Sequence, residues 1–379
     1  MRDHRDVLER GLHEFRAPEL PYEAILQRRD RRRRNHRIAA GVVGLGIGIA
    51  AILVSARAFQ ADRTTPAHPE PPLKHNGVIA IADGDTLTLF DPRTGISSSL
   101  SLRTGRGGYN VGGLTWSPDG SKLAYSTGQP IRGTVRVLDL ATRRISTIVP
   151  CRIPFETETH AVGNFPRCES LNLAWSPDGS RIALSGSEGL DLIDPDGSNR
   201  TTLIGRGHIG PATWSPDGAT IAFTARSAAW DRQAVYQVDA DGSDLRVLFE
   251  QPGSAPPWDL RWSPDRSRIA YFVAVPNPDP DGYTEPLHSI LPQVWIVDAD
   301  GSGPSKLFEG GACCAGGGWG GPSWSPDGTK IALIARPPGS AYGSKVQTWL
   351  YVLDPDTGGA QKLARDVTAL GPPAWQPIP

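Results

Sequence analysis

The sequence predicts an all-β protein: a six-bladed β-propeller of four-stranded blades closed by both ends of the domain, preceded by one transmembrane helix and a short cytoplasmic tail. Three observations lead there. A Trp-Ser-Pro-Asp-Gly unit recurs from residue 77 onward, one long apolar run lies near the start, and 43 Gly and 35 Pro among 379 residues demand many turns.

The repeat fixes the architecture. Trp116, Trp175, Trp214, Trp262 and Trp324 each open a Trp-Ser-Pro-Asp stretch, and Trp375 opens a truncated copy, Trp-Gln-Pro-Ile-Pro. The intervals are 59, 39, 48, 62 and 51 residues, so a unit near 40 carries insertions of variable length. Pro presets the backbone of the turn, Asp holds it through its side chain, and Gly tolerates a positive φ. Short alternating stretches such as Lys122-Leu123-Ala124-Tyr125 follow the turn and read as strands. A third strand, an Asp-x-Asp-Gly type of turn and a closing strand complete each unit. The first unit, Val78 to Leu102, has three strands and lacks the tryptophan strand, which the residues around Trp375 would supply. Closing the ring this way gives six complete blades and leaves no open sheet edge. Arg266 replaces the turn glycine in one unit and should strain it if φ is positive there.

These Trp-Ser-Pro-Asp-Gly-x-x-Ile-Ala units resemble the TolB-like (PD40, WD40-like) β-propeller repeats, and the resemblance covers residues 77–379. It implies a six-bladed propeller serving as an extracytoplasmic binding or scaffolding module. Some relatives use such a propeller to gate a prolyl-oligopeptidase-type hydrolase. This sequence contains no Gly-x-Ser-x-Gly nucleophile element, so no catalytic motif supports an enzyme.

With antiparallel strands, the first and third turns of every blade share one face, and the remaining loops share the other. The short uniform turns therefore define a structural face. All long insertions (150–170, 225–232, 273–293, 309–321 and 335–345) fall on the opposite, looped face, where function is expected. Candidate ligand-binding residues there are Tyr109, His160, His208, Trp230, Trp258, Tyr283, His288, Trp319 and Tyr342. Packing of the same rings against the blades is the competing expectation. The histidines lie in different blades and form no metal-binding pair, and Asn277 to Gly282 opens like a calcium loop but would place His288 at the bidentate position. No metal and no cofactor is expected.

The 19-residue run Ile38 to Ala56 carries no charge and nearly spans a hydrocarbon core of roughly 30 Å. Arg28 to Arg37 contains seven Arg and one Asp, so the positive-inside rule puts residues 1–37 in the cytoplasm as a basic tail. Residues 38–58 are the anchor, residues 59–76 a Pro-rich linker, and residues 77–379 an extracytoplasmic propeller. A cleaved signal peptide competes through Ala56-Arg57-Ala58, but the segment before it and the run itself are too long for that class. Ala40, Gly44 and Gly48 recur at the spacing that lets two spanning helices approach. Val7, Leu8, Leu12 and Phe15 form an apolar stripe on a possible tail helix, which lies on the membrane or docks a partner. The arginine-rich preamble also looks like the tails of membrane proteins paired with extracytoplasmic-function sigma factors, without their zinc-type His and Cys pattern.

The net charge of −1 hides a split: residues 1–59 hold 12 Arg against 7 Asp and Glu, which leaves the rest at −6. A body of that sign offers no general attraction to nucleic acid, which is excluded as a partner. The expected function is a non-enzymatic protein- or ligand-binding or sensory module using the looped face, with a protein, peptide or cell-wall partner. The alternatives are a hydrolase or lyase at the channel mouth and a transmembrane regulator coupled to a cytoplasmic sigma factor. Cys151, Cys168, Cys313 and Cys314 all lie beyond the anchor, where disulfides persist, and three connectivities are open.

Overall fold

A computed structural model describes residues 75–84, 86–102, 110–128, 134–149, 172–205, 207, 209–226, 233–251, 255–277, 290–312, 320–340, 348–365 and 371–378. Twenty-four strands fill six antiparallel sheets of four. Blade 1 holds β1 (His75–Asp83), β2 (Thr86–Phe90) and β3 (Ser97–Ser101). Blade 2 holds β4 (Asn110–Trp116), β5 (Lys122–Gly128), β6 (Thr134–Asp139) and β7 (Ile145–Val149). Blade 3 holds β8 (Asn172–Trp175), β9 (Ile182–Gly186), β10 (Gly189–Ile193) and β11 (Thr201–Ile204). Blade 4 runs through β12 (Ile209–Trp214), β13 (Thr220–Arg226), β14 (Gln233–Asp239) and β15 (Arg246–Glu250). Blade 5 runs through β16 (Pro257–Trp262), β17 (Arg268–Pro276), β18 (Ile290–Asp298) and β19 (Ser305–Glu309). Blade 6 is β20 (Gly320–Trp324), β21 (Ile331–Ala335), β22 (Trp349–Leu353) and β23 (Ala360–Arg365). The last strand, β24 (Ala374–Ile378), returns to pair with β1 and completes blade 1. Closure by both ends of the domain is as the repeat predicts. β1 begins at His75, two residues ahead of the repeat boundary, inside the stretch read as linker.

Apolar residues on both faces of the strands make the core a set of layers between blades rather than one central cluster. Leu87 and Ala80 of blade 1 pack with Leu114, Leu123 and Tyr125 of blade 2, and Ile79 and Phe90 pack with Ile334 and Leu350 of blade 6. Equivalent layers join blades 2 and 3, 4 and 5, and 5 and 6. Each fully buried Leu, Ile or Phe is worth about 1.5–3 kcal/mol, so a blade without its neighbours loses its stability.

Polar bonds cross the junctions as well. Three repeat tryptophans donate their indole N–H to the carbonyl of the residue preceding the previous blade's tryptophan: Trp116 to Ala374 (3.0 Å), Trp214 to Ala174 (3.1 Å) and Trp324 to Arg261 (3.0 Å). At two other junctions a backbone N–H donates to a hydroxyl, Trp175 to Thr115 Oγ1 and Trp375 to Ser323 Oγ, both at 3.2 Å. Between blades 4 and 5 the links are the Arg266–Asp217 ion pair, at 2.5 Å, and hydrogen bonds from Tyr271 to Gln251 Oε1 (2.5 Å) and from Gln233 to the Pro257 carbonyl (3.5 Å). The Trp262 indole N–H, which would make the equivalent staple, has no partner among the described residues. Arg266 adopts φ 66°, as its glycine counterparts do at 67–76°, so it carries the strain expected of a side chain there.

The turn aspartates explain why the motif repeats. In all five intact copies the Ser hydroxyl donates to the Asp carboxylate at 2.5–2.6 Å. The backbone N–H two residues beyond the Asp donates to the same oxygen at 3.0–3.2 Å. The Ser117 hydroxyl lowers the Asp119 carboxyl below its ordinary value. At Asp178, Asp217, Asp265 and Asp327 burial works against ionisation, but these hydrogen bonds outweigh it and the carboxyls are again lowered. In the third-strand turn, Asp354 is lowered to about 2 by the Thr357 N–H and hydroxyl.

No helix among the described residues is long and apolar enough to cross a membrane, and the tail, the run Ile38–Ala56 and the linker up to residue 74 lie outside those residues.

Two predictions follow from closure and bracing. Trp375→Ala, which empties the seam between the first and last strands, should cost about 3–5 kcal/mol, while Trp295→Ala in β18, a half-buried ring, should cost less. Urea midpoints compare them, and equal losses would refute closure as the controlling contact. The depressed turn carboxyls contribute stability that is present above the unfolded value of about 3.9 and lost as pH falls through the lower folded values. Stability should therefore hold from pH 7 to about 4 and fall between about 4 and 2, read as urea midpoints across that range.

The central channel as candidate functional site

The first strand of each blade lines the axis, and its backbone explains what faces inward. The N–H after each repeat Trp bonds across to the second strand, as Ser215 does to the Thr220 carbonyl at 2.9 Å. The tryptophan itself is then the non-hydrogen-bonded residue of the ladder, and its own N–H and C=O point away from that strand into the channel. The position just before the Trp is small in five blades: Thr115, Ala174, Thr213, Ser323 and Ala374. In blade 5 it is Arg261.

Asp259, two residues earlier, sits on a bulge. Trp258 pairs with Phe272 and Arg261 with Ala270, so Asp259 and Leu260 share one opposing residue. Asp259 takes φ 47°, where blade 2 places Gly113 at φ 58° in the same bulge. A non-glycine residue held there is strained by about 1–2 kcal/mol, and such strain clusters at functional positions. Room for the carboxylate comes from blade 6: a Cβ on Gly321 would lie 2.5 Å from Asp259 Cβ and 2.6 Å from its Oδ2.

Both charged residues are half-buried. Burial pushes the Asp259 carboxyl up, with Arg261 opposing it, and burial pushes Arg261 down, with Asp259 opposing. The guanidinium nonetheless stays charged. The two groups do not form a direct ion pair; Arg261 Nη1 donates to the neighbouring Leu260 carbonyl at 2.8 Å. A cavity of about 160 Å³ opens beside Arg261 toward the turn face, lined also by Thr115, Ala174, Trp175, Thr213 and Trp214.

Of the residues singled out from sequence, the structure describes one ligand candidate. Trp258 is half-buried at the looped-face end of β16. Tyr109, His160, His208, Trp230, Tyr283, His288, Trp319 and Tyr342 lie outside the described residues, as do Cys151, Cys168, Cys313 and Cys314. The six anchors Trp116, Trp175, Trp214, Trp262, Trp324 and Trp375 all end or sit within first strands, as the repeat requires. Among the described residues no three His, Cys, Asp or Glu side chains gather to hold a metal. Asp259 and Arg261 escaped the sequence reading, although aligning the repeats on their tryptophans shows them at once. No other unit has a charge at either position.

Fold and channel together define a six-bladed β-propeller with one charged blade at its axis. Its repeats are TolB-like. The crystal structure of TolB from Acinetobacter baumannii superimposes with a TM-score of 0.57 at 20% identity, over 79% of this chain and 66% of that one, a likeness that shows the fold alone. Over 134 residues the chain is 25% identical to a TolB homolog of Chlorobium luteolum, which is 34% of this chain and 27% of that protein. Over 119 residues it is 28% identical to the uncharacterized peptidase YuxL of Bacillus subtilis, 31% of this chain and 15% of that protein. The chain thus spans less than a third of the length of these curated relatives. No family model matches it.

The Gly321–Asp259 contact gives a double-mutant test. Gly321→Ala should destabilise by about 1–3 kcal/mol because its Cβ must displace the Asp259 side chain. In an Asp259→Gly background, which removes both the obstacle and the strain, the same change should cost less. Denaturant unfolding of the four proteins measures the coupling, and strict additivity would refute the contact.

Proposed function

We propose that this protein is a non-enzymatic binding or sensory module. In this reading the run Ile38–Ala56 anchors it in a cell membrane with the propeller outside, and the looped face meets a protein, peptide or cell-wall partner. One observation supports it most: the two faces differ in kind. On the turn face, chain reversals are short, braced by Ser–Asp bonds and packed blade against blade, as where Gly179 meets Pro118 and Gly218 meets Pro177. The strand ends that flank every long insertion open on the other face. A rigid ring that confines its variation to one side is built to present that side. TolB-like repeats agree with a protein-binding propeller.

Asp259 supports a second reading, a hydrolase or lyase working at the channel, because a carboxyl pushed upward by burial is suited to donate a proton. Against it, Asp259 has no second titratable partner among the described residues other than Arg261, which does not give up its proton.

A photo-crosslinking residue placed singly at Pro276 or Pro338, exposed on the looped side, should capture a cellular partner of the full-length protein. The same residue at Asp196 or Asp241, exposed on the turn side, should not. Equal capture from both sides would overturn the assignment of faces. Turnover of a glycan or peptide substrate lost in Asp259→Asn would replace it with the enzymatic reading.

A further inference from the structure

At one level of the channel, Arg261 adds a fork of guanidinium donors to the N–H and C=O groups that the repeat tryptophans point inward. The inward N–H of Trp175 is met by the Thr115 hydroxyl, but the residue that would meet Trp214 in the same way is Ala174, which has none. Thr213 lines the same cavity. Arg261 joins them from blade 5 with five N–H groups, of which one is committed, to Leu260. A fork of guanidinium donors beside a hydroxyl and an oriented backbone N–H, in a cavity of about 160 Å³, matches the shape and charge of a small oxyanion.

We propose that the turn-side half of the central channel is a binding site for a small oxyanion of the carboxylate or phosphate class, held by Arg261, Thr213 and the backbone N–H of Trp214. The site does not depend on which partner the looped face takes. Asp259 belongs to it as a modulator. Among the described residues its carboxylate is the one negative group that bears on Arg261, so it competes with a bound anion for the guanidinium charge. Bidentate capture by a planar guanidinium also explains why the blade carries Arg where its sister blades carry Thr, Ser or Ala.

The test titrates the full-length protein with sodium acetate or with inorganic phosphate at constant ionic strength. Calorimetry and intrinsic fluorescence both report, because Trp175 and Trp214 line the cavity. Saturable binding is expected, with acetate preferred if the natural group is a carboxylate and phosphate preferred if it is a phosphate. Arg261→Gln should weaken binding by about tenfold or more, the equivalent of one lost charge-assisted contact. Arg261→Lys, which keeps the charge but loses the fork, should fall between. Asp259→Asn should tighten binding, and because it removes charge without removing volume it serves even if the Arg261 variants fail to fold. A site with no saturable binding of either anion, unchanged binding in folded Arg261→Gln, or unchanged or weaker binding in Asp259→Asn would each overturn the proposal.

Discussion

The constraint on which this molecule depends is that no blade can bury its own two faces. Each four-stranded sheet presents apolar residues on both sides, and only a neighbour on each side removes them from water. In a row of such sheets the first and last would stay exposed. In a ring none does, and the ring exists because β24, the last strand, returns to pair with β1, the first. Trp375 carries that seam: its indole N–H donates to the Gly77 carbonyl at 3.2 Å and its backbone N–H to Ser323 of the preceding blade. On the turn side the seam is sealed again, where Asn76 donates to Asp327 at 2.7 Å and Gln376 donates to the Gly120 carbonyl at 2.8 Å. The first and last described segments are therefore locked from three directions.

Against that regular background, blade 5 stands apart. It has the only arginine in the turn-glycine position, the only arginine before a repeat tryptophan, an aspartate in a left-handed bulge, and a repeat tryptophan whose indole N–H lacks the staple that Trp116, Trp214 and Trp324 make. These departures are connected. The Arg266–Asp217 pair, the Tyr271–Gln251 bond and the apolar layer hold the junction to blade 4 where the Trp262 staple is missing, so the blade keeps its place while its inner strand carries charge. Local rules broken together in one element, with compensation beside them, mark a position kept for something other than stability.

How much of this was legible in the sequence follows from how the information is repeated. Blade number, strand order and ring closure could be read because six copies of one motif report the same geometry, and the Ser–Asp turn brace is local enough to be written in five consecutive residues. The inter-blade staples were not legible: the acceptor for the Trp324 indole is 63 residues away, and nothing in Arg261 as a residue type announces that its carbonyl serves there. The looped-face candidates stand out only by their chemistry in long insertions, and of these Trp258 alone sits on a described strand. The channel pair was missed for a different reason. Attention to what the repeats share conceals what one of them does differently, and Asp259 and Arg261 are informative only as exceptions to their columns.

The energetics of that exception argue for the channel over the core. Two charges taken fully out of water without a direct pairing would cost several kcal/mol each, more than one blade could supply. Asp259 and Arg261 escape this because both keep partial exposure, Arg261 along the wall of the channel cavity. The bulge itself is held by ladder pairs on either side, Trp258 with Phe272 and Trp262 with Ile269, so the left-handed residue cannot relax without breaking β16 from β17. Trp258 sits at the looped-face end of this strand and Arg261 beside the turn-side cavity, with the strained residue between them. Any contact that moved the outer end of β16 would bear directly on the bulge, and through it on the placement of the guanidinium. The inner strand of blade 5 is thus the shortest covalent path between the face that varies and the charge at the centre of the ring.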